Sequence, residues 1–286
     1  MMMAKPAPTK GTDTTQDGAQ DAASEMDSIA MPVNPPAIVH YHLFKNAGTS
    51  LDALFKEYFS DRWVTREFPD APVQNRRHMQ EWLTTVDADC YSTHTGFLPV
   101  PTLGAREVLP VIFLRHPLDR IASAYSFERR QGDPGFGSTL ARNTTLRGYC
   151  EVRLSNPHDR QCRNFHAGRL AHLLWDAPGS QLGRALQALE ELPFVGIVEQ
   201  FNDSLKVLEA ILQERGYPDI QLVAVRRNVS SERADSLEDR LASIRHEVGD
   251  EFYSTLVAAN SDDIELHRVA TERLASSMTE SALSGD

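Results

Sequence analysis

The sequence predicts an α/β protein, a central parallel sheet flanked by helices. Three observations predict it. Short apolar runs alternate along the chain with segments of helical period, the pattern of strands joined by crossover helices. The first run, Ile38-Val39-His40-Tyr41, passes through a short loop to Leu51, Leu54, Phe55 and Tyr58. These fall at i, i+3, i+4 and i+7, one face of a helix. A later run, Val111-Ile112-Phe113-Leu114, has no polar interruption, as in a strand buried on both faces.

The remaining elements follow in order. Residues 1–33 are small and polar, with few large apolar side chains, and burial cannot offset their ordering entropy. They are read as a disordered tail. Pro32, Pro35 and Pro36 punctuate the entry to the first strand. A helix is expected over 77–86, a short strand or loop over 91–97, a strand over 108–114 and a long helix over 118–130. Helices are expected near 140–150, 159–175 and 182–191, then a strand over 194–198, a helix over 204–215 and a strand over 220–225. The last helical region, 237–276, should break near Asn260. Residues 34–274 are read as one domain and 275–286 as a flexible C-terminal tail.

The 286 residues, 41% of them hydrophobic, suffice for one sizeable core. A net charge of −11 argues against nonspecific binding to nucleic acid or anionic membranes. No apolar run reaches the roughly 18 residues of a spanning helix, and the first residues lack an apolar signal core. These features point to a cytoplasmic protein, expected to be bacterial. Cys90, Cys150 and Cys162 are too few and too scattered for a disulfide framework or a zinc site.

Two segments carry chemistry. In Lys45-Asn46-Ala47-Gly48-Thr49-Ser50, a lysine, small residues and hydroxyls lie between the first strand and its helix. Such a turn aims backbone N–H groups and the positive helix end at one point, which suits phosphate or sulfate. The lysine precedes the glycine, so this is not a Walker A loop. In Phe113-Leu114-Arg115-His116-Pro117-Leu118-Asp119-Arg120, the arginine ends a strand and Pro117 suits a helix's first turn. Open α/β sheets bind ligands at such strand ends. Ser123 lies on the first turns of the helix that follows.

As an ordered pair, these segments resemble the two cofactor loops of the sulfotransferases that use 3'-phosphoadenosine 5'-phosphosulfate (PAPS). Lys45 to Ser50 resembles the 5'-phosphosulfate loop; Phe113 to Tyr125 resembles the 3'-phosphate loop, whose arginine and serine match Arg115 and Ser123. Weaker similarities follow at 164–170, 196–205 and 226–230, the second close to the carbohydrate-type branch. Phe44 stands where many members carry proline. The resemblance, over roughly residues 36–270, implies a three-layer P-loop-like fold and sulfuryl transfer from PAPS to a carbohydrate or glycolipid hydroxyl, with no metal required. It implies that Lys45 and the residues Asn46, Ala47, Gly48, Thr49 and Ser50 face the 5' end, and that Arg115 and Ser123 hold the 3'-phosphate. Arg226 or Arg227, with Asn228, would reach the cofactor from the end of a strand. Adjacent strand residues face opposite ways, so the choice between the two stays open, with Arg227 taken as the candidate.

The acceptor hydroxyl needs a general base, for which histidine is suited. His94, in Cys90-Tyr91-Ser92-Thr93-His94-Thr95-Gly96-Phe97, lies between the two motifs in a segment resembling the histidine-containing one of the 2-O-sulfotransferases. That segment has two histidines, and Ser92 stands here at the position of the other. His40 and His42 alternate on one strand face; lacking a third ligand at suitable spacing, they are read as packing or supporting residues. Residues 129–169 hold eight arginines against three acids. That segment is either an acceptor loop or cofactor lid, or a solvated face with its arginines paired elsewhere.

Two other classes fit less well. A nucleotide-dependent kinase of related architecture would show metal-dependent ATP turnover. A non-catalytic binder of nucleotides or sulfated glycans would bind the cofactor unaffected by His94→Ala and turn nothing over.

Overall fold

The computed structural model describes residues 34–223 and 236–284. Five strands form one parallel sheet: β1 (Ala37–Tyr41), β2 (Trp63–Thr65), β3 (Cys90–Thr93), β4 (Val108–Leu114) and β5 (Val195–Ile197), in the order β2-β3-β1-β4-β5. β1 is central and entirely buried. It pairs His40 with Ser92 of β3 on one side and with Val111 of β4 on the other. The loop after β1 therefore sits where the chain's path through the sheet changes direction, the usual place for a ligand.

The connecting helices are α1 (Gly48–Phe59), α2 (Pro72–Thr85), α3 (Pro117–Arg130), α4 (Phe136–Asn143), α5 (Leu146–Ser155), α6 (Phe165–Leu170), α7 (Gln181–Glu191) and α8 (Phe201–Glu214). After residues 224–235 come α9 (Leu237–Val248), α10 (Asp250–Ala259) and α11 (Ser261–Ser284). Side chains on β1 alternate between two cores. Ala37, Val39 and Tyr41 pack with Met79, Trp82 and Leu83 of α2, Leu170 of α6, Leu189 of α7 and Leu266 of α11. Ile38 packs with Leu51 and Phe55 of α1 and with Leu205, Leu208 and Leu212 of α8. A third cluster joins Ile121 of α3, Tyr149 of α5 and Ile244 of α9.

The structure departs from the sequence expectations at several elements. β2 was not anticipated; it is a three-residue edge strand. The helix expected over 159–175 is shorter, because Asn164 takes a left-handed conformation (φ 40°) and starts α6. Residues 220–223 of the expected strand 220–225 are not in the sheet, and residues 224 and 225 lie outside the described residues. Ile220 and Leu222 are buried, but their backbones bond to α8: Ile220 O accepts from Gln213, and Leu222 N donates to Glu209. Their alternation reflects core packing, not strand pairing. The last helical region divides at Gly249 and at Asn260. α11 continues through Ser284, past residue 274 where the domain was expected to end.

Candidate functional site

The loop after β1 leads directly into α1. Lys45 and Ala47 both take left-handed backbone conformations (φ 65° and 60°), which residues with a Cβ seldom adopt. No side chain caps the N-terminus of α1, and the first N–H groups of a helix have no acceptor within it. Thr49 is exposed and Ser50 half-buried at this end. The donor set suits an anion.

The two motifs meet here. Arg115, at the end of β4, donates from Nη1 to the carbonyl of Lys45 at 3.2 Å, across 70 residues of sequence. Its Nε and Nη2 hold Asp119 at 2.7 Å, and Asp119 also accepts from Arg240 of α9 at 3.1 Å. Arg115 is 3% exposed. It ties the loop to the end of β4. Lys45 Nζ sits 4.3 Å from the centre of the Phe127 ring. Ser123 is one turn before Phe127, on the same face of α3.

Asn46 is engaged within the loop and with α6. Its N–H bonds to Leu43 O, its side-chain amide donates to Phe44 O at 3.2 Å, and its Oδ1 lies 3.0 Å from His166 Nε2. With these atoms engaged, Asn46 shapes the loop. His166 is held in turn by Asp263, whose carboxylate accepts from the backbone N–H groups of His166 and Ala167. The 164–170 segment is thus tied to the start of α11. Arg226, Arg227 and Asn228 lie outside the described residues.

The histidines form a cluster beneath the loop. His40 Nδ1 and His42 Nδ1 each lie 2.8 Å from a separate oxygen of Asp52 on α1, and Ser92 Oγ lies 3.2 Å from His40 Nδ1. Asp52 is the third donor that sequence spacing did not supply. The group has the residue types of a metal triad, with its possible ligand atoms within 4.8 Å of one another; in this structure the histidine nitrogens and the carboxylate oxygens are joined by hydrogen bonds. Burial alone would raise the Asp52 carboxyl; the hydrogen bonds from His40 and His42 hold it well below the usual carboxylate range. His42 is pushed below the ordinary histidine range by burial, partly opposed by its bond to Asp52. A neutral His42 donating Nδ1–H to Asp52 leaves Nε2 as an acceptor.

His94 stacks on His42, with ring centres 3.9 Å apart. Glu67 binds it from the other side, accepting from its backbone N–H and lying 2.6 Å from Nδ1. The side chain is 49% exposed, so it can meet a substrate. The expected base therefore stands beside the loop as the outer member of two stacked histidine–carboxylate pairs. Asp52 and Glu67 escaped the sequence reading, and His42 was read only as a support. One signal was present: two histidines on a strand face that packs against α1 need an acid there, and Asp52 interrupts its apolar side.

Gly48 closes the arrangement. A Cβ at this position would meet His42 Cδ2 at 2.1 Å and Nε2 at 2.4 Å. Gly48→Ala should force His42 off Asp52 and cost about 1–3 kcal/mol, as overpacking does. A lowered melting temperature with weakened anion binding is expected, and an unchanged melt would show that the ring has room.

A second buried network lies behind Arg115. Glu199 Oε1 accepts from His116 N at 2.9 Å, and Oε2 lies 3.0 Å from His267 Nε2. Burial works against ionised Glu199, but the bonds from His267 and His116 hold its pKa at about 2. Burial, reinforced by neighbouring His267, pushes His116 down to about 4. His116 is neutral when folded and takes up a proton when unfolded below its ordinary value of 6.5, so its contribution is complete above that pH and is lost toward 4. Glu199 has a depressed acid pKa; its contribution is present above 4.5 and is lost as pH falls toward 2. Thermal melts should be level between about pH 7 and 8 and fall steadily below about 6.5. A melting temperature unchanged between pH 7 and 4.5 would contradict this account.

The arginines of 129–169 divide between the two readings. Arg153 pairs with Glu128 and Asp159, Arg142 bonds the carbonyls of Gln131 and Asp133, Arg147 pairs with Glu151, and Arg163 bonds Leu154 O. Arg160 and Arg169 instead line a cleft. No helix among the described residues is long and apolar enough to cross a membrane.

No family model matches the chain. It is 39% identical over 244 residues to an uncharacterized protein of Archaeoglobus fulgidus, covering 82% of this chain and 95% of the archaeal one. An archaeal relative does not point to the bacterial origin expected from the sequence. The chain belongs to the same family as that archaeal protein.

Proposed function

We propose that this protein is a sulfotransferase of P-loop-like architecture that moves a sulfuryl group from PAPS to a hydroxyl, by resemblance that of a carbohydrate or glycolipid. The observation that carries this reading is the bond from Arg115 to the carbonyl of Lys45. It joins the two resembling motifs, distant in sequence, into one anion-binding end of the sheet.

PAPS would supply an activated sulfuryl group on a phosphate that leaves. The acceptor oxygen forms the new S–O bond as the bond to the phosphate breaks, and the acceptor proton passes to His94. Lys45 and the N–H groups opening α1 would stabilise the negative charge gathering on the departing phosphate. Glu67 orients His94 and would stabilise its protonated form. Arg115 and Ser123 are the residues proposed for the 3'-phosphate, and Arg227 is proposed to reach the cofactor.

Arg115→Ala should weaken nucleotide binding by about 2–5 kcal/mol. It should also lower stability, because it leaves buried Asp119 short of a partner. An unchanged dissociation constant would remove Arg115 from the site. The activity itself is tested by incubating the chain with sulfur-labelled PAPS and hydroxyl acceptors without divalent metal. Label on an acceptor supports the reading; metal-dependent turnover of ATP in its place would favour a kinase.

A further inference from the structure

A cleft of about 450 Å³ opens between α6, the start of α7 and the segments preceding α2 and following β3. Its size is typical of a small-molecule site. Arg160, Arg169 and Arg184 line it against one carboxylate, that of exposed Asp70. Arg169 sits over the Phe97 ring, its guanidinium 4.6 Å from the ring centre. Arg169 Nη1, Arg184 Nε and Gln181 Nε2 are buried and have no hydrogen-bond acceptor among the described residues. Buried donors without acceptors on three residues that line one cleft are costly unless something else supplies them. Guanidinium forks match carboxylate, sulfate and phosphate oxygens. His172 also lines the cleft and packs edge-on to Phe97; burial and the nearby arginines push its pKa down, so the positive charge there comes from the arginines. Trp175, 57% exposed, adds an apolar wall.

The cleft's place in the fold indicates its use. β3 and β4 flank β1 on opposite sides. Phe97 follows β3, three residues after His94, whereas Arg115 and Ser123 follow β4. Phe165 lines the cleft, and its neighbour His166 bonds Asn46 of the loop. We infer that this cleft receives the acceptor, and that the acceptor carries an acidic group beside its reacting hydroxyl. This rests on the sulfuryl-transfer reading: nucleotide and acceptor would approach Lys45 from opposite sides, with His94 on the acceptor's side.

Titration of the full chain with glucuronic acid, glucose 6-phosphate and glucose, followed by ligand-observed magnetic resonance, tests this. The three share one ring and differ in carrying a carboxylate, a phosphate or no charge. The acids should bind in a salt-sensitive way and glucose should not. Preference between the two acids tells which anion the cleft takes. Arg169→Gln with Arg184→Gln should weaken acid binding about ten- to a hundredfold. Arg160→Gln, at an exposed side chain, should weaken it without risk to the fold. Glucose binding as well as the acids, neither acid binding, or unchanged binding in both variants would overturn the inference. A parallel titration with 3'-phosphoadenosine 5'-phosphate separates the two layers. Nucleotide binding without acid binding removes the cleft assignment alone. Acid binding without nucleotide binding removes sulfuryl transfer, and with it the acceptor role.

Discussion

Lys45→Ala is expected to lower turnover by about a hundred- to a thousandfold, the effect of removing one electrostatic contact to the charge that develops in a transition state. The backbone reasons are local. Lys45 is held in a left-handed conformation by its carbonyl bond from Arg115, and its side chain is carried over Phe127. That posture costs conformational energy, of the order of 1–3 kcal/mol in such regions, and is therefore a candidate for a functional constraint. The loss should fall mainly on kcat, because the charge being stabilised is largest as the phosphate departs. Steady-state kinetics of the variant with saturating PAPS would measure it. Activity near that of the parent would take Lys45 out of the reaction.

His94→Ala should reduce kcat by about a hundred- to ten-thousandfold, the range for a positioned general base. Nucleotide affinity should be nearly unchanged, since the contacts of His94 run to Glu67 and His42. Glu67→Gln should have a smaller effect in the same direction, because a neutral amide still orients the ring and no longer stabilises its protonated form. If the rate persists in His94→Ala, the base lies elsewhere, and His42, already paired with Asp52, is the neighbour to replace next. Nucleotide binding with no turnover in the parent would point to a binding protein that lacks the chemistry.

Much of this arrangement was legible in the chain. The parallel sheet followed from apolar runs such as Val111 to Leu114, and the site's place from charged residues, Lys45 and Arg115, set just beyond strand ends. β2 was not legible because Trp63, Val64 and Thr65 form only a three-residue edge strand. Ile220 and Leu222 misled because alternation reports which side is buried, not whether the backbone pairs with a neighbour. The acids that bond the histidines were hidden for a different reason. Glu67 meets His94 across 27 residues and Asp52 meets His40 across 12, contacts that exist only once the sheet has formed. The arginine-rich segment kept two readings until its acids were located: Glu128 and Asp159 hold Arg153, while Arg169 turns into the cleft.

The central claim is that the loop after β1 and the end of β4 together hold a 3'-phosphorylated nucleotide. Calorimetric titration with 3'-phosphoadenosine 5'-phosphate, compared with AMP and with ATP plus magnesium, tests it most directly. Tight binding of the 3'-phosphorylated nucleotide alone is the predicted result. Preference for ATP with magnesium, or equal binding of AMP, would contradict the claim and the roles given to Arg115 and Ser123.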